Sequence, residues 1–232
     1  GEVFFLFFPS LTLSPSHPNP KTTKTSTASH CSAENLNTPL SLASSYVTCN
    51  RDSGATDGIF RATGAAISVI DFSLGYGITD GAFILVAPMS NTNLAYAARL
   101  AIGAIKSNYF STSVPNYSGG FPQVDPRLEG CTSAKVGSVG ALHYSRRTAA
   151  RSLVSTGIQI AGISGCGGNS GGPLVDESAC VVYGVLSSTT VACSGGTNYN
   201  SWSRLSTTGG GGGVNVPGLS AALSAGTVNF VS

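Results

Sequence analysis

The sequence predicts an all-β protein, and three observations carry that expectation. Ser, Thr, Gly, Ala and Val dominate, with 30 glycines in 232 residues, which suits short strands and many turns better than long helices. From residue 131 onward short apolar runs ("KVGSVGALHY", "GIQIAGI", "PLV", "VVYGVL") alternate with glycine-bearing turns. Upstream, "TGAAISVI" at 63–70 and "AFILVA" at 82–87 are apolar runs of strand length and read as buried strands.

The elements follow in chain order. The apolar run 3–8 in "GEVFFLFFPS" is too short to span a bilayer and reads as a first strand or as a signal-peptide core. Residues 9–27, "PSLTLSPSHPNPKTTKTST", are rich in Pro, Ser and Thr and read as loop. After the strands at 63–70 and 82–87, "TNLAYAARLAIGA" at 92–104 fits a short helix or a strand. Residues 106–130 carry Pro, Gly, Asn and Ser and read as an interdomain loop, dividing an N-terminal domain (1–110) from a C-terminal one (111–232). "GGGGG" at 209–213 reads as a flexible connector and 217–225 as a brief terminal helix. There is no internal repeat.

Charge narrows the functions. Only 9% of residues are charged and the formal net charge is +2, so no strong pull toward nucleic acid or a membrane surface is expected. The six cysteines, at 31, 49, 131, 166, 180 and 193, form no C-x-x-C pair, and three histidines are too few for a zinc site. No metal and no organic cofactor are implied. An even cysteine count with low charge points to a secreted, oxidised protein.

The chemistry concentrates at "GCGGNSGGPLV", residues 165–175. A serine hydroxyl is a poor nucleophile; it needs a base for its proton and donors for the oxyanion that forms. The glycines around Ser170 leave main-chain N–H groups bare for that second task. "GNSGG" also fits the G-x-S-x-G nucleophile elbow, but that arrangement places its acid and histidine after the serine. Here His17, His30 and His143 all precede Ser170.

The order His, Asp, Ser is that of the chymotrypsin-like serine proteases. "TASHC" at 27–31 resembles their T-A-A-H-C motif, and "GNSGGP" at 168–173 resembles G-D-S-G-G-P. The resemblance covers residues 25–207 and is specific around 27–31, 80–86 and 164–193. It implies two antiparallel six-stranded-type β-barrels with the active site between them. It also implies His30 as general base, Ser170 as nucleophile, and the Gly168 and Ser170 N–H groups as the oxyanion hole. The triad acid lies among Asp52, Asp57, Asp71, Asp80 and Asp125. The family's D-x-A-L-I-x-L favours Asp80, since "TDGAFILV" places Ala82, Phe83, Ile84 and Val86 behind it. "IDFSLGYG" gives glycines where large apolar residues belong, and Asp71 stays as the rival.

The same resemblance implies a specificity pocket with Ser164 at its floor and Thr189 and Asn200 in its walls. No Asp or Glu lies between Glu129 and Asp176 or after Glu177, so a carboxylate to pair with substrate Lys or Arg is missing from these elements. Small or medium uncharged side chains are expected instead. The implied disulfides are Cys31–Cys49, Cys131–Cys180 and Cys166–Cys193. The first of these resembles the lysyl endopeptidase branch of bacterial secreted proteases, related to the glutamyl endopeptidases; spacing alone leaves the connectivity open. Asn169 replaces the aspartate that receives the new N-terminus in animal enzymes, so that activation switch is not expected.

The first barrel fits least well. A strand rich in large apolar residues should lead into the histidine, and this chain has "NPKTTKTSTAS". A fragment, a misread gene product and a member with a reduced first barrel all stay open. The expected function is a secreted, monomeric serine endopeptidase acting on proteins or peptides, not on nucleic acid or membranes. The alternative is an inactive homologue that binds protein partners through the same cleft.

Overall fold

The structure is a computed structural model. It describes residues 23–32, 40–50, 56–71, 78–89, 101–103, 113–120, 143–149, 152–154, 157–161, 163, 168–179, 181–189, 199–209 and 212–232. These form two sheets and two short helices.

The first sheet contains β1 (Thr23–Thr27), β2 (Tyr46–Asn50), β3 (Thr56–Ser68) and β4 (Ala82–Pro88). Its order is β1, β4, β3, with β2 also paired to β3. β3 and β4 are the two apolar runs expected to be buried strands, and Ala65, Ala66, Ile67, Ala82, Phe83 and Ile84 are buried. β1 departs from expectation, because its residues were read as loop. The strand is polar in sequence yet pairs antiparallel with β4 from Thr23↔Val86 to Thr27↔Ala82, and Thr25, Ser26 and Thr27 are buried. Its ladder is made by backbone groups, which hydropathy does not report, and β-branched threonine suits a pleated surface. α1 (Ser29–Ser32) follows at once and carries His30.

The second sheet is larger. It holds β5 (Ala101–Ile102), β6 (Val114–Gly120), β7 (His143–Ala149), β8 (Ser152–Val154), β9 (Gly157–Ala161), β10 (Pro173–Asp176), β11 (Val181–Thr189), β12 (Tyr199–Ser206) and β13 (Val214–Asn215). The path is β7, β6, β10, β11, β12, β9, β8, with β13 on β12 and β5 on β11. β6 also departs from expectation. Its sequence, VPNYSGG, reads as loop, but β7 and β10 pair with it on either side, and this pairing overrides the weak propensity of Pro, Asn and Gly. Buried Ser118 on β6 accepts a hydrogen bond from the indole Nε1 of fully buried Trp202 at 3.2 Å. At 101–102, where helix and strand were both open, the chain is strand.

α2 (Val216–Ala222) is the expected terminal helix, capped at its N-terminus by Asn215, whose Oδ1 accepts from Gly218 N at 2.9 Å. β14 (Val228–Val231) then returns to the first sheet and pairs parallel with β3. In the glycine run, Gly209, Gly212 and Gly213 adopt positive φ. A Cβ on Gly213 would stand 2.6 Å from the Arg204 carbonyl oxygen, so this is a packed turn and not only a connector. The main core cluster joins the sheets: Val47, Phe60 and Phe83 pack with Val182, Val185 and Leu205. A second cluster, around Trp202, Ile158, Ile160 and Leu174, fills the other sheet.

Candidate active site

His30 sits where β1 delivers the chain into α1. Ser29 Oγ donates to the Gly81 carbonyl at 2.7 Å, which fastens α1 to the residue just ahead of β4. Asp80 lies beside that same residue. Two contacts join the pair: His30 N donates to Asp80 Oδ1 at 2.9 Å, and His30 Nδ1 meets Asp80 Oδ2 at 2.5 Å. The Asp80 side chain is fully buried, while His30 keeps 33% of its side-chain surface open. A buried carboxylate is costly unless it is hydrogen-bonded. Asp80 Oδ2 accepts a further bond from Ser187 Oγ at 2.7 Å. The rival, Asp71, is exposed and does not pair with His30 in the described residues.

Burial works against a charged ring at His30. The hydrogen bonds to Asp80 and to the Cys31 side chain, together with the charges of Cys31 and Asp80, outweigh burial and push its pKa from 6.5 up to about 10. With Nδ1 donating to the carboxylate, Nε2 is left to accept a proton.

Ser170 occupies a turn between Gly168 and Gly172. Gly168 (φ 93°) and Gly171 (φ 80°) both adopt the left-handed conformation, which glycine tolerates and other residues do not. The turn closes through Gly172 N to Asn169 O at 2.9 Å. It is fixed to β11 by Gly171 N to Leu186 O (2.8 Å) and Leu186 N to Gly172 O (2.7 Å). It also presses on the base of His30's element: a Cβ on Gly171 would collide with Thr27 Oγ1 and stand 2.9 Å from Ala28 N. Neither the Gly168 nor the Ser170 N–H is spent on a backbone hydrogen bond among the described residues. The structure thus brings Ser170's turn, β11 and the His30–Asp80 pair to one place.

Ser187 is the polar contact that sequence reasoning missed. "YGVLSS" marks the strand, but nothing in it says which serine turns inward. The ladder between β11 and β12 shifts register between Leu186 and Ser188, and such a bulge re-aims the side chain it carries. Of the residues expected to line the pocket, Ser164 lies outside the described residues. Thr189 and Asn200 are backbone partners across β11 and β12. Asn200 is buried and its amide Nδ2 donates to the Ile163 carbonyl, tying β12 to the residue next to Ser164.

Cys31 is unbonded and half-buried in this structure, beside the His30 ring; the side chain of Cys49, its expected partner, lies outside the described residues. The pairs Cys131–Cys180 and Cys166–Cys193 lie outside the described residues. Among the described residues, no group of three or more His, Cys, Asp or Glu could hold a metal ion, and no helix is long and apolar enough to cross a membrane.

No protein-family model and no curated protein sequence matches this chain. Solved structures do. The protease Anisep from Arthrobacter nicotinovorans superposes with a TM-score of 0.54 at 18% identity, covering 85% of this chain and 82% of that one. The chain has the chymotrypsin-like fold. A Glu endopeptidase matches this fold with a TM-score of 0.52 at 17% identity, over 88% of this chain and 79% of its own. A mutant of human heparin-binding protein gives 0.52 at 14%, over 79% and 76%.

Proposed function

We propose that this protein is a secreted serine endopeptidase working through Ser170, His30 and Asp80. The observation that carries the reading is the His30–Asp80 pair, 2.5 Å apart, with its acid fully buried and held by Ser187, beside the glycine turn of Ser170. The fold shared with solved proteases supports it.

Ser170 Oγ attacks the peptide carbonyl while His30 Nε2 takes its proton. Asp80 holds the ring in the tautomer that leaves Nε2 free and stabilises the imidazolium that forms. The Gly168 and Ser170 N–H groups receive the oxyanion. His30 then passes the proton to the leaving amine, and water releases the acyl-enzyme. The substrates are proteins or peptides, taken by a monomer without metal or cofactor. Ser164, Thr189 and Asn200 line the pocket and select small or medium uncharged side chains. Cys166–Cys193 and Cys131–Cys180 brace the half of the chain that carries it.

Casein or peptide hydrolysis tests the reading. Wild-type protein should cleave and lose activity to a serine-directed inhibitor. Ser170→Ala should lower turnover by about 10⁶, the loss measured for a comparable nucleophile. A Ser170→Ala variant as active as wild type would sink the assignment.

A further inference from the structure

Thr27, the last residue of β1, carries a feature that the proposed chemistry leaves unexplained. It is only 1% exposed, yet its Oγ1 has no hydrogen-bond partner among the described residues. A buried hydroxyl is ordinarily paired, and one that is not calls for a reason. Valine has the same branched shape and would bury no polar atom, so filling this place in β1 does not require a hydroxyl. What Oγ1 meets is Gly171, the residue after Ser170: a Cβ there would collide with Thr27 Oγ1 and stand 2.9 Å from Ala28 N. This contact closes a ring around the site. Gly171 N donates to Leu186 O at 2.8 Å. Ser187, next in β11, donates to Asp80 Oδ2 at 2.7 Å. Asp80 Oδ1 accepts from His30 N at 2.9 Å, and the chain from Thr27 to His30 completes the circuit. Its other joints are hydrogen bonds; this one is the approach of an unspent hydroxyl to a glycine.

We infer that Thr27 is a positioning residue: its hydroxyl oxygen sets how closely the turn of Ser170 sits against the element that carries His30. The inference rests on the hydrolase reading above. A hydroxyl oxygen is smaller than a methyl group, and Gly171 has no side chain on its side of the contact. The pair therefore brings the turn nearer to β1 than an apolar β-branched residue at 27 would. Interiors are close-packed, and a volume change of one methylene is felt. A methyl in place of Oγ1 would press on Gly171 and move Ser170 with it. Ser29 and His30 tie α1 to Gly81 and Asp80, and the glycine turn is the softer side. The base would keep its acid while the nucleophile shifts relative to it. A misplacement of about 1 Å costs about 10²-fold, so the smaller shift forced by a methyl should cost roughly tenfold. This task needs the size of the oxygen and not its hydrogen bond, which accounts for a hydroxyl left unpaired.

The test compares Thr27→Val and Thr27→Ser with wild type in the full chain. Serine keeps the oxygen; valine puts a methyl in its place. Fluorophosphonate labelling of Ser170 is followed to its end, so that rate and final extent are read separately. Thr27→Val should label about tenfold more slowly and still reach the wild-type extent. Its peptide hydrolysis should lose kcat at unchanged KM, with the pH limb of the rate unmoved because His30 keeps Asp80. Thr27→Ser should label within about threefold of wild type. A wild-type rate in Thr27→Val overturns the inference, and so does a Thr27→Ser as slow as Thr27→Val. A lower final extent at the wild-type rate is the mark of a folding defect and overturns it as well. Should Thr27→Val not fold, Thr27→Ala removes the oxygen without adding bulk; slower labelling to full extent is expected there, and a wild-type rate overturns the inference. Wild-type protein that never labels is the failure of the hydrolase reading, and the positioning role falls with it. Wild type that labels beside an unaffected Thr27→Val removes the role alone.

Discussion

The histidine is the residue on which the account turns. A general base must be neutral to accept a proton, and His30 is held toward its charged form by Asp80 and Cys31. Hydrolysis should therefore climb with pH on the alkaline side of the ordinary histidine range. Asp80→Asn removes the carboxylate, so the climb should move to lower pH while the plateau falls by about 10⁴, the loss seen when a triad aspartate becomes asparagine. A pH–rate profile checks both at once; a variant with an unmoved limb and full rate would mean that Asp80 does not act on His30. The choice of Asp80 over Asp71 was legible in the sequence because only one has an apolar strand behind it. Ser187 was not legible, since its direction comes from a bulge in a ladder that forms only in the folded sheet.

At the scale of elements, sequence reading succeeded where hydropathy and burial agree. β3, β4 and α2 are of this kind. It failed at β1 and β6, whose partners and not their side chains make them strands. β1 is a seam of buried hydroxyls, two of them unpaired, Ser26 Oγ and Thr27 Oγ1. Its backbone ladder with β4, and not those hydroxyls, is what lets a polar segment lead into the histidine where a large apolar strand is expected. The turn of Ser170 packs directly on this seam. Gly171 has positive φ and no room for a Cβ, so Gly171→Ala should lower stability by about 1–3 kcal/mol. The reading is a lower urea midpoint at unchanged slope. A midpoint equal to wild type would show that the turn does not press on β1.

At the scale of the whole molecule, the two sheets share one core and the chain crosses between them twice. β5 joins the second sheet, and β14 returns to the first. The buried ion pair links this assembly to pH. His30 binds its proton more tightly folded than unfolded, because its pKa rises from 6.5 to about 10. Below the lower value both states are protonated and the pair contributes fully. Between the two values the unfolded chain has released the proton and the folded one has kept it, so stability falls as pH rises. Above about 10 that contribution is gone. Urea midpoints across this window should decline in wild type and decline less in Asp80→Asn; parallel profiles would contradict the coupling.

The central claim is that base, acid, oxyanion donors and Ser170 form one working site. Fluorophosphonate labelling followed by peptide mapping tests it most directly, because that reagent reacts with a serine whose base and oxyanion hole are assembled together. The account predicts a single adduct, on Ser170, absent from Ser170→Ala. Folded protein that takes no adduct, or takes it on another serine, would contradict it.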